Sequence, residues 1–253
     1  MCVSTLFHIR CKPNISLNLA LSALLCYNTP KAVIFTNMKA AIFDMDGTLV
    51  DSLMLWDVLW STFGEIYLND KSFVPSVEDD KKVRTLTLKD AMYLIHKNYK
   101  LGESGEDLLS LANSIMNDFY ANRVELKDGV RAFLEHCKNN GVKMCIASAT
   151  TPELIDVALE HCDIGKYFLK VFSCGTIGKG KDEPDVFLQA VEFLGAEIKD
   201  TWLFEDSLTA IETAAKIGMP TVGIYDKFNY GQDKIKAIAT EYINSKETLL
   251  KLI

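Results

Sequence analysis

Five short apolar runs, separated by stretches with helical periodicity, constrain the fold of this 253-residue chain more than any other feature. Near-continuous apolar character over four to six residues is typical of strands covered on both faces, and intervening helices supply the crossovers of a parallel sheet. The runs are AAIF (40–43), KMCIA (143–147), VFSC (171–174), TWLF (201–204) and PTVGIY (220–225). The sequence therefore predicts an α/β fold with a Rossmann-like parallel sheet.

The alternation of strands and helices is interrupted between residues 53 and 127, where the pattern is helical only. A crossover between neighbouring parallel strands needs far fewer residues than this segment contains. We therefore predict an inserted helical cap domain at 53–127, and a catalytic core formed by 38–52 and 128–253. The cap would stand over the carboxyl ends of the strands, where ligands bind in open α/β sheets.

Pairs of residues with the spacing of capping boxes mark the starts of three helices. The pairs are Thr87 with Asp90, Ser104 with Asp107, and Thr150 with Glu153. In the first helical stretch of this segment, a stripe formed by Met54, Trp56, Trp60 and Phe63 is interpreted as cap core, with a substrate cage as the alternative.

Residues 1–37 differ in character from the rest of the chain. The run ISLNLALSALLCY (15–27) imitates the apolar core of a signal peptide, but it is too short to span a bilayer comfortably and no clean cleavage site follows it. Because Met38 stands directly before KAAIFDMDGT, we expect residues 1–37 to be an N-terminal extension that reflects a start codon placed too early. An export signal is the alternative interpretation.

The overall charge and the cysteines limit the class of partner. The formal net charge of −7 argues against nucleic acid and anionic membrane surfaces as partners. The seven cysteines form no CxxC pair, so free thiols in a reducing compartment are expected. We therefore predict a cytoplasmic protein that acts on a small molecule; the oligomeric state stays open, and a monomer is compatible with the sequence.

Polar side chains follow four of the predicted strands, at the point where each strand ends. The residues at these ends are Asp44 and Asp46 after the first strand, Ser148, Ala149 and Thr150 after the second, Gly180, Lys181, Pro184 and Asp185 after the third, and Glu205 and Asp206 after the fourth. In a parallel sheet these ends converge on one crevice, and so many carboxylates would repel one another without a cation. Carboxylates, water and phosphate are the ligands that Mg²⁺ prefers. The sequence therefore predicts a Mg²⁺ site that also receives a phosphate.

Four segments in this order give the chain a specific resemblance. DMDGTLVDS (44–52), IASAT (146–150), GKDEPDVF (180–187) and FEDSLTAIETAAKIGM (204–219) resemble the four motifs of the haloacid dehalogenase superfamily of phosphohydrolases. The chain is similar to the branch with a helical cap between the first and second motifs and a Glu-Asp fourth motif, which includes phosphoglycolate phosphatases and β-phosphoglucomutase-like proteins. The resemblance extends from about Met38 to the end of the chain.

The resemblance implies a covalent mechanism with two aspartates. Asp44 would attack phosphorus and form an aspartyl-phosphate, because a carboxylate is already ionised at neutral pH. Asp46 would protonate the leaving oxygen and then deprotonate the hydrolytic water. Taken alone, an Asp in Asp-Gly-Thr is more often a turn former, so the assignment depends on the other three motifs.

The resemblance also implies the phosphate and metal ligands. Ser148, with the amide of Ala149, would bind the phosphoryl oxygens, and Lys181 would neutralise them. Lys179 is the competing lysine, but only Lys181 has the motif spacing to Pro184 and Asp185. The Mg²⁺ ligands would come from Asp44, Asp46 (through its backbone carbonyl), Glu205 and Asp206.

Three functions are compatible with these residues. The first is a Mg²⁺-dependent phosphatase that acts on a small phosphate monoester, such as a sugar phosphate or a phosphoglycolate-like metabolite. The second is a phosphomutase of the β-phosphoglucomutase type, although Trp56 and Leu88 stand where such enzymes carry a histidine and an arginine. The third is a catalytically silent binding module, against which the intact Asp44, Asp46 and Lys181 argue.

Overall fold

The computed structural model describes residues 38–84 and 86–253. The prediction that residues 1–37 form an N-terminal extension lies outside the described residues. Within them the α/β prediction is confirmed, because six parallel strands form one sheet with helices around it.

The sheet has the strand order β3-β2-β1-β4-β5-β6, with β1 in its interior. The strands are β1 (Ala40–Phe43), β2 (Lys143–Ser148), β3 (Val171–Ser173), β4 (Thr201–Glu205), β5 (Thr221–Ile224) and β6 (Glu241–Ile243). The first five match the predicted apolar runs to within one residue at each end. The short β6 is an edge strand that the sequence did not predict, because Glu241 and Tyr242 are only half-buried and the apolar run is absent.

The two faces of the sheet carry separate apolar cores. Along β1, Ala41 and Phe43 belong to one core, whereas Ala40 and Ile42 belong to the other. Phe43 stacks on Phe204 of the adjacent β4 with ring centroids 4.4 Å apart. Because β1 is buried on both faces, all four of its residues are apolar. The first charged residue, Asp44, comes directly after the strand.

Helices alone occupy the chain between β1 and β2. They are α1 (Leu55–Phe63), which continues as a π-helix (Gly64–Leu68), then α2 (Val77–Val83), α3 (Leu88–Tyr99), α4 (Gly105–Asn122) and α5 (Val130–Asn139). The first four share an apolar core that is distinct from the two cores of the sheet. Of the predicted stripe, Trp60 and Phe63 belong to this core and are fully buried, whereas Met54 lies outside it and is 41% exposed. The interpretation of 53–127 as an inserted cap domain stays a prediction.

The remaining helices follow the strands as crossovers. They are α6 (Pro152–His161), α7 (Cys174–Ile177), α8 (Asp185–Leu194), α9 (Leu208–Lys216) and α10 (Gln232–Ile238), with 3₁₀ turns at Gly165–Tyr167, Ile198–Asp200 and Leu249–Leu252. No helix within 38–84 or 86–253 is long and apolar enough to cross a membrane.

The predicted helix caps at Thr87 and Ser104 are confirmed. The two side chains accept hydrogen bonds from the amides of Asp90 and Asp107, respectively. The capping box that begins at Thr150 is wrong, since α6 starts one residue later and the Thr150 hydroxyl bonds to another partner. That partner is a carboxylate of the candidate site, which local spacing alone could not reveal.

Candidate active site

A tight turn after β1 places two aspartates, Asp44 and Asp46, at the carboxyl ends of the strands. The amide of Asp44 still donates to the carbonyl of Phe204 over 3.0 Å, so this aspartate is fixed by the sheet itself. Gly47 then adopts a φ of +76°, a conformation that side-chain-bearing residues rarely take. A Cβ atom added to Gly47 would lie 2.3 Å from Oδ2 of Asp206, so the turn also requires the absence of a side chain.

Lys181 is the cation of the site. Its ammonium group donates to Oδ1 of Asp44 over 2.6 Å and to Oε2 of Glu205 over 2.7 Å. Burial alone would lower the pKa of Lys181, but the two carboxylates more than offset it and raise that pKa above its ordinary value. Lys179, the competing lysine, forms a half-exposed ion pair with Asp185 instead.

Three buried carboxylates lie close enough to share one cation. Asp44, Glu205 and Asp206 each offer an oxygen within 4.8 Å of the others. Burial and the neighbouring Glu205 raise the pKa of Asp44 to about 7, against the opposing effect of Lys181. Burial, Glu205 and Asp44 likewise raise the pKa of Asp206 well above its usual value. When all three carboxylates are ionised, they and the one ammonium carry a net charge of −2, which fits an oxygen-bound divalent cation such as Mg²⁺.

Asp206 is held from two sides. The Thr48 hydroxyl donates to its Oδ1 over 3.1 Å, and the side-chain amide of Asn229 donates to its Oδ2 over 2.8 Å and to its backbone carbonyl over 2.9 Å. Hydrogen bonds to a ligand carboxylate fix its orientation and commonly set metal affinity. Asn229 lies in the loop after β5, and the sequence did not single it out because no metal-ligand spacing includes it.

The Asp46 carboxylate is bonded by three hydroxyl groups. Ser52 and Tyr120 donate to its Oδ1 over 2.6 Å and 2.5 Å, and Thr150 donates to its Oδ2 over 2.6 Å. Burial and the Asp46 carboxylate raise the pKa of Tyr120 well above its ordinary value, so this hydroxyl stays protonated. The sequence analysis missed Tyr120, since an aromatic residue in the last turn of a helix is usually core.

The phosphate-binding candidates occupy the end of β2. Ser148 is buried, and its hydroxyl oxygen accepts the amide of Thr150 over 3.1 Å. Ala149 is exposed at the same edge. Of the residues nominated from the sequence, the structure therefore brings Asp44, Lys181, Glu205 and Asp206 into one cluster, with Asp46 and Ser148 at the adjoining strand ends.

The loop after β5 also contacts the helical segment 53–127. Tyr230, next to Asn229, donates its hydroxyl to Oδ2 of Asp80 in α2 over 3.3 Å. Asp80 also accepts from Nε1 of Trp60 over 3.0 Å and pairs with Arg84 over 2.9 Å. Arg84 in turn lies over the Trp56 ring, 5.8 Å from its centroid. Asp80 thus connects the core of the helical segment to the loop that holds Asp206.

Comparisons with known proteins show what this chain is similar to. A phosphorylated carbohydrates phosphatase from Thermotoga maritima is 24% identical over 84% of this chain and 97% of its own length. A beta-phosphoglucomutase from Bacillus subtilis is 23% identical over 74% of this chain and 83% of its own. The crystal structure of CbbY from Rhodobacter sphaeroides in complex with phosphate superposes with a TM-score of 0.67, at 18% identity, over 81% of this chain and 93% of that protein.

A family model described as haloacid dehalogenase-like hydrolase matches residues 41–224, which is most of the chain. The matched range contains all four segments named from the sequence and every residue of the carboxylate cluster. The chain therefore belongs to the haloacid dehalogenase-like hydrolase family.

Proposed function

We propose that this chain is a Mg²⁺-dependent phosphatase that hydrolyses a small phosphate monoester through an aspartyl-phosphate intermediate. One observation carries the proposal: Asp44 lies at the end of an interior strand, ion-paired to Lys181 and within 4.8 Å of two further buried carboxylates. A relative named for the hydrolysis of phosphorylated carbohydrates, aligned over nearly its whole length, supports a sugar phosphate or a similar metabolite as the substrate class.

In the first step Asp44 is the nucleophile. One carboxylate oxygen forms a bond to phosphorus while the bond between phosphorus and the ester oxygen breaks, and that oxygen leaves with the electron pair. Asp46 transfers its proton to the leaving oxygen, which departs as an alcohol. Lys181, already 2.6 Å from Asp44, orients the nucleophile and offsets the charge that a phosphoryl group brings.

In the second step Asp46, now a carboxylate, accepts a proton from water. The water oxygen forms a bond to phosphorus, the bond to Asp44 breaks, and inorganic phosphate is released with Asp44 restored. Ser148 and the amide of Ala149 would bind the phosphoryl oxygens in both steps. Asp44, the carbonyl of Asp46, Glu205 and Asp206 would hold Mg²⁺, which when bound supplies positive charge at the phosphoryl oxygens.

The testing experiment is a screen of small phosphorylated metabolites for phosphate release with and without Mg²⁺. We expect turnover of sugar phosphates or phosphoglycolate that is lost when the metal is chelated and restored when it is returned. Absence of turnover for every monoester by well-folded protein, or undiminished turnover in chelator, would contradict the proposal.

A mutase is the second candidate, because one relative is named for that activity. A mutase must protect its phosphoenzyme from water until the intermediate has turned round, which requires closure triggered by the substrate. Here Trp56 and Leu88 stand where the mutase pattern has a histidine and an arginine, and Arg84 is already paired with Asp80. We therefore expect hydrolysis to outpace isomerisation.

This expectation is tested with β-glucose 1-phosphate, Mg²⁺ and a trace of the bisphosphate, following glucose 6-phosphate and free phosphate in the same sample. Release of phosphate with little glucose 6-phosphate is the expected result. Isomer formation faster than phosphate release would identify the chain as a mutase instead.

A further inference from the structure

The two oxygens of the Asp46 carboxylate have unequal hydrogen bonding. A carboxylate oxygen accepts about two hydrogen bonds, one for each lone pair. Oδ1 takes both Ser52 and Tyr120, and so is filled. Among the residues that the structure describes, Oδ2 takes one hydrogen bond, from Thr150, and keeps one lone pair for another partner.

We propose that Tyr120 is a positioning residue for the acid/base step: with Ser52 it occupies Oδ1 of Asp46, and so directs proton exchange with the leaving group and with water to Oδ2. The inference rests on the acid/base role of Asp46 in the proposed function. Proton transfer depends strongly on the direction and distance of the donor atom, so fixing which oxygen carries the proton affects the rate.

The surroundings of Tyr120 support more than a satisfied core tyrosine. A buried tyrosine hydroxyl needs a partner, and this side chain is 3% exposed. Its partner, however, is a half-buried carboxylate that two other hydroxyls already bond. The ring also contacts that of Phe119 edge to face, with centroids 5.7 Å apart.

The three hydroxyls come from three separate parts of the chain. Ser52 lies on the segment that leads from β1 into the helices, Tyr120 lies in the last turn of α4, and Thr150 lies after β2. Convergence of distant segments on one side chain restricts its torsion angles more firmly than local contacts would. Removal of the Tyr120 hydroxyl leaves Ser52 as the donor to Oδ1 and opens one lone pair on that oxygen, so either oxygen of the carboxylate can then exchange a proton in the crevice.

The test compares two probe substrates in Tyr120→Phe. The p-nitrophenolate that leaves p-nitrophenyl phosphate needs little protonation, whereas the alkoxide that leaves glycerol 2-phosphate needs a full proton. We expect kcat/KM for glycerol 2-phosphate to fall by about 10- to 100-fold relative to wild type, and that for p-nitrophenyl phosphate to fall by less than about 3-fold. Asp46→Asn should show the same discrimination with a larger loss.

The matched control is Tyr167→Phe. It also removes a hydrogen bond between a buried tyrosine and a carboxylate, that of Glu135 at 2.8 Å, but Glu135 is outside the site. It should leave both kcat/KM values unchanged. Should Tyr120→Phe lack a cooperative melting transition, Ser52→Ala removes the other donor to Oδ1 and must show the same discrimination between substrates.

The outcomes separate the inference from the function on which it rests. An equal loss on both substrates in Tyr120→Phe, with discrimination intact in Asp46→Asn, would overturn the positioning role and leave the phosphatase proposal standing. Loss of discrimination in Asp46→Asn itself would overturn the acid/base assignment, and the inference with it.

Discussion

The carboxyl edge of the sheet, meaning the strand ends with Asp44, Glu205, Asp206 and the adjoining Lys181, differs from the helical segment 53–127 in how it is stabilised. The edge buries three carboxylates and one lysine together, whereas the helical segment has an apolar core of its own. The two regions meet through apolar packing, since Phe119 and Val124 join one core of the sheet, and through polar contacts, among them Tyr120 with Asp46 and Tyr230 with Asp80.

The difference indicates a division of roles. The carboxylates and the lysine at the strand ends are buried and close together, whereas the helical segment contacts them from outside, through the hydrogen bond of Tyr120 to Asp46. Substitutions at the edge should therefore abolish turnover, and substitutions at the contacts should change it selectively.

Asp44→Asn should reduce turnover by at least about 10⁴-fold, because the variant lacks the nucleophile while its side chain keeps nearly the same shape. Steady-state phosphate release and a melting curve are the measurements. The control is Asp163→Asn, which removes an exposed aspartate paired with Lys166 far from the site, and should be neutral. Substantial turnover by a folded Asp44→Asn protein would refute the covalent route.

Lys181→Met should reduce kcat by about 10²- to 10³-fold, because it removes the cation that offsets two buried carboxylates and the incoming phosphoryl charge. Lys179→Met is the matched control, since that lysine is half-exposed and pairs with Asp185. The same kinetic assay compares the two variants. Equal effects at the two lysines would show that the structure assigns the cation wrongly.

Asn229→Ala should raise the Mg²⁺ concentration needed for half-maximal activity by about 10- to 100-fold, because Asp206 loses the amide that orients it. Activity at saturating Mg²⁺ should change little. A Mg²⁺ titration of activity measures both quantities. Asn98→Ala, which removes an exposed hydrogen bond to Asp79, serves as the control. An unchanged Mg²⁺ requirement would mean that Asn229 does not support the metal site.

The metal-free protein should lose stability as the pH rises from about 4 to about 7. Asp44 has a pKa of about 7 in the folded state against an ordinary 3.8, so the folded state binds the proton more tightly across this interval. Stability therefore falls as that proton is released, by on the order of a few kcal/mol. Denaturant unfolding in chelator at several pH values measures the slope, and Mg²⁺ should reduce it. A free energy of unfolding that rises with pH over this interval would contradict the raised pKa of Asp44.

Much of the sheet edge could be predicted from the sequence because strand ends are local features. An apolar run that stops at Asp44 or at Glu205 reveals both the strand and the residue at its end. The parallel arrangement then brings these ends together, so Lys181 could be assigned to the cluster before its distances were known. The motif spacing also distinguished Lys181 from Lys179, and the structure places only Lys181 beside Asp44.

The long-range polar contacts around the site could not be predicted in the same way. Helical periodicity indicates which face of α4 is buried, but not that the buried Tyr120 hydroxyl meets a carboxylate 74 positions away. Asn229 lies in a loop with no periodicity at all. The sequence places Thr150 at the end of β2 and predicts a helix cap there, but it does not indicate that the Thr150 hydroxyl bonds to Asp46. Long-range polar contacts of this kind leave no local signal.

Gly47 has a consequence for how mutations at this site should be interpreted. The atom nearest to its missing Cβ is an oxygen of Asp206, and even alanine would have to displace that carboxylate or rearrange the turn. A mutational scan should therefore find no tolerated replacement at a position that contributes no side-chain chemistry. The absence of a side chain at Gly47 is therefore itself a requirement of the site, because the Asp206 carboxylate occupies the volume that a Cβ would need.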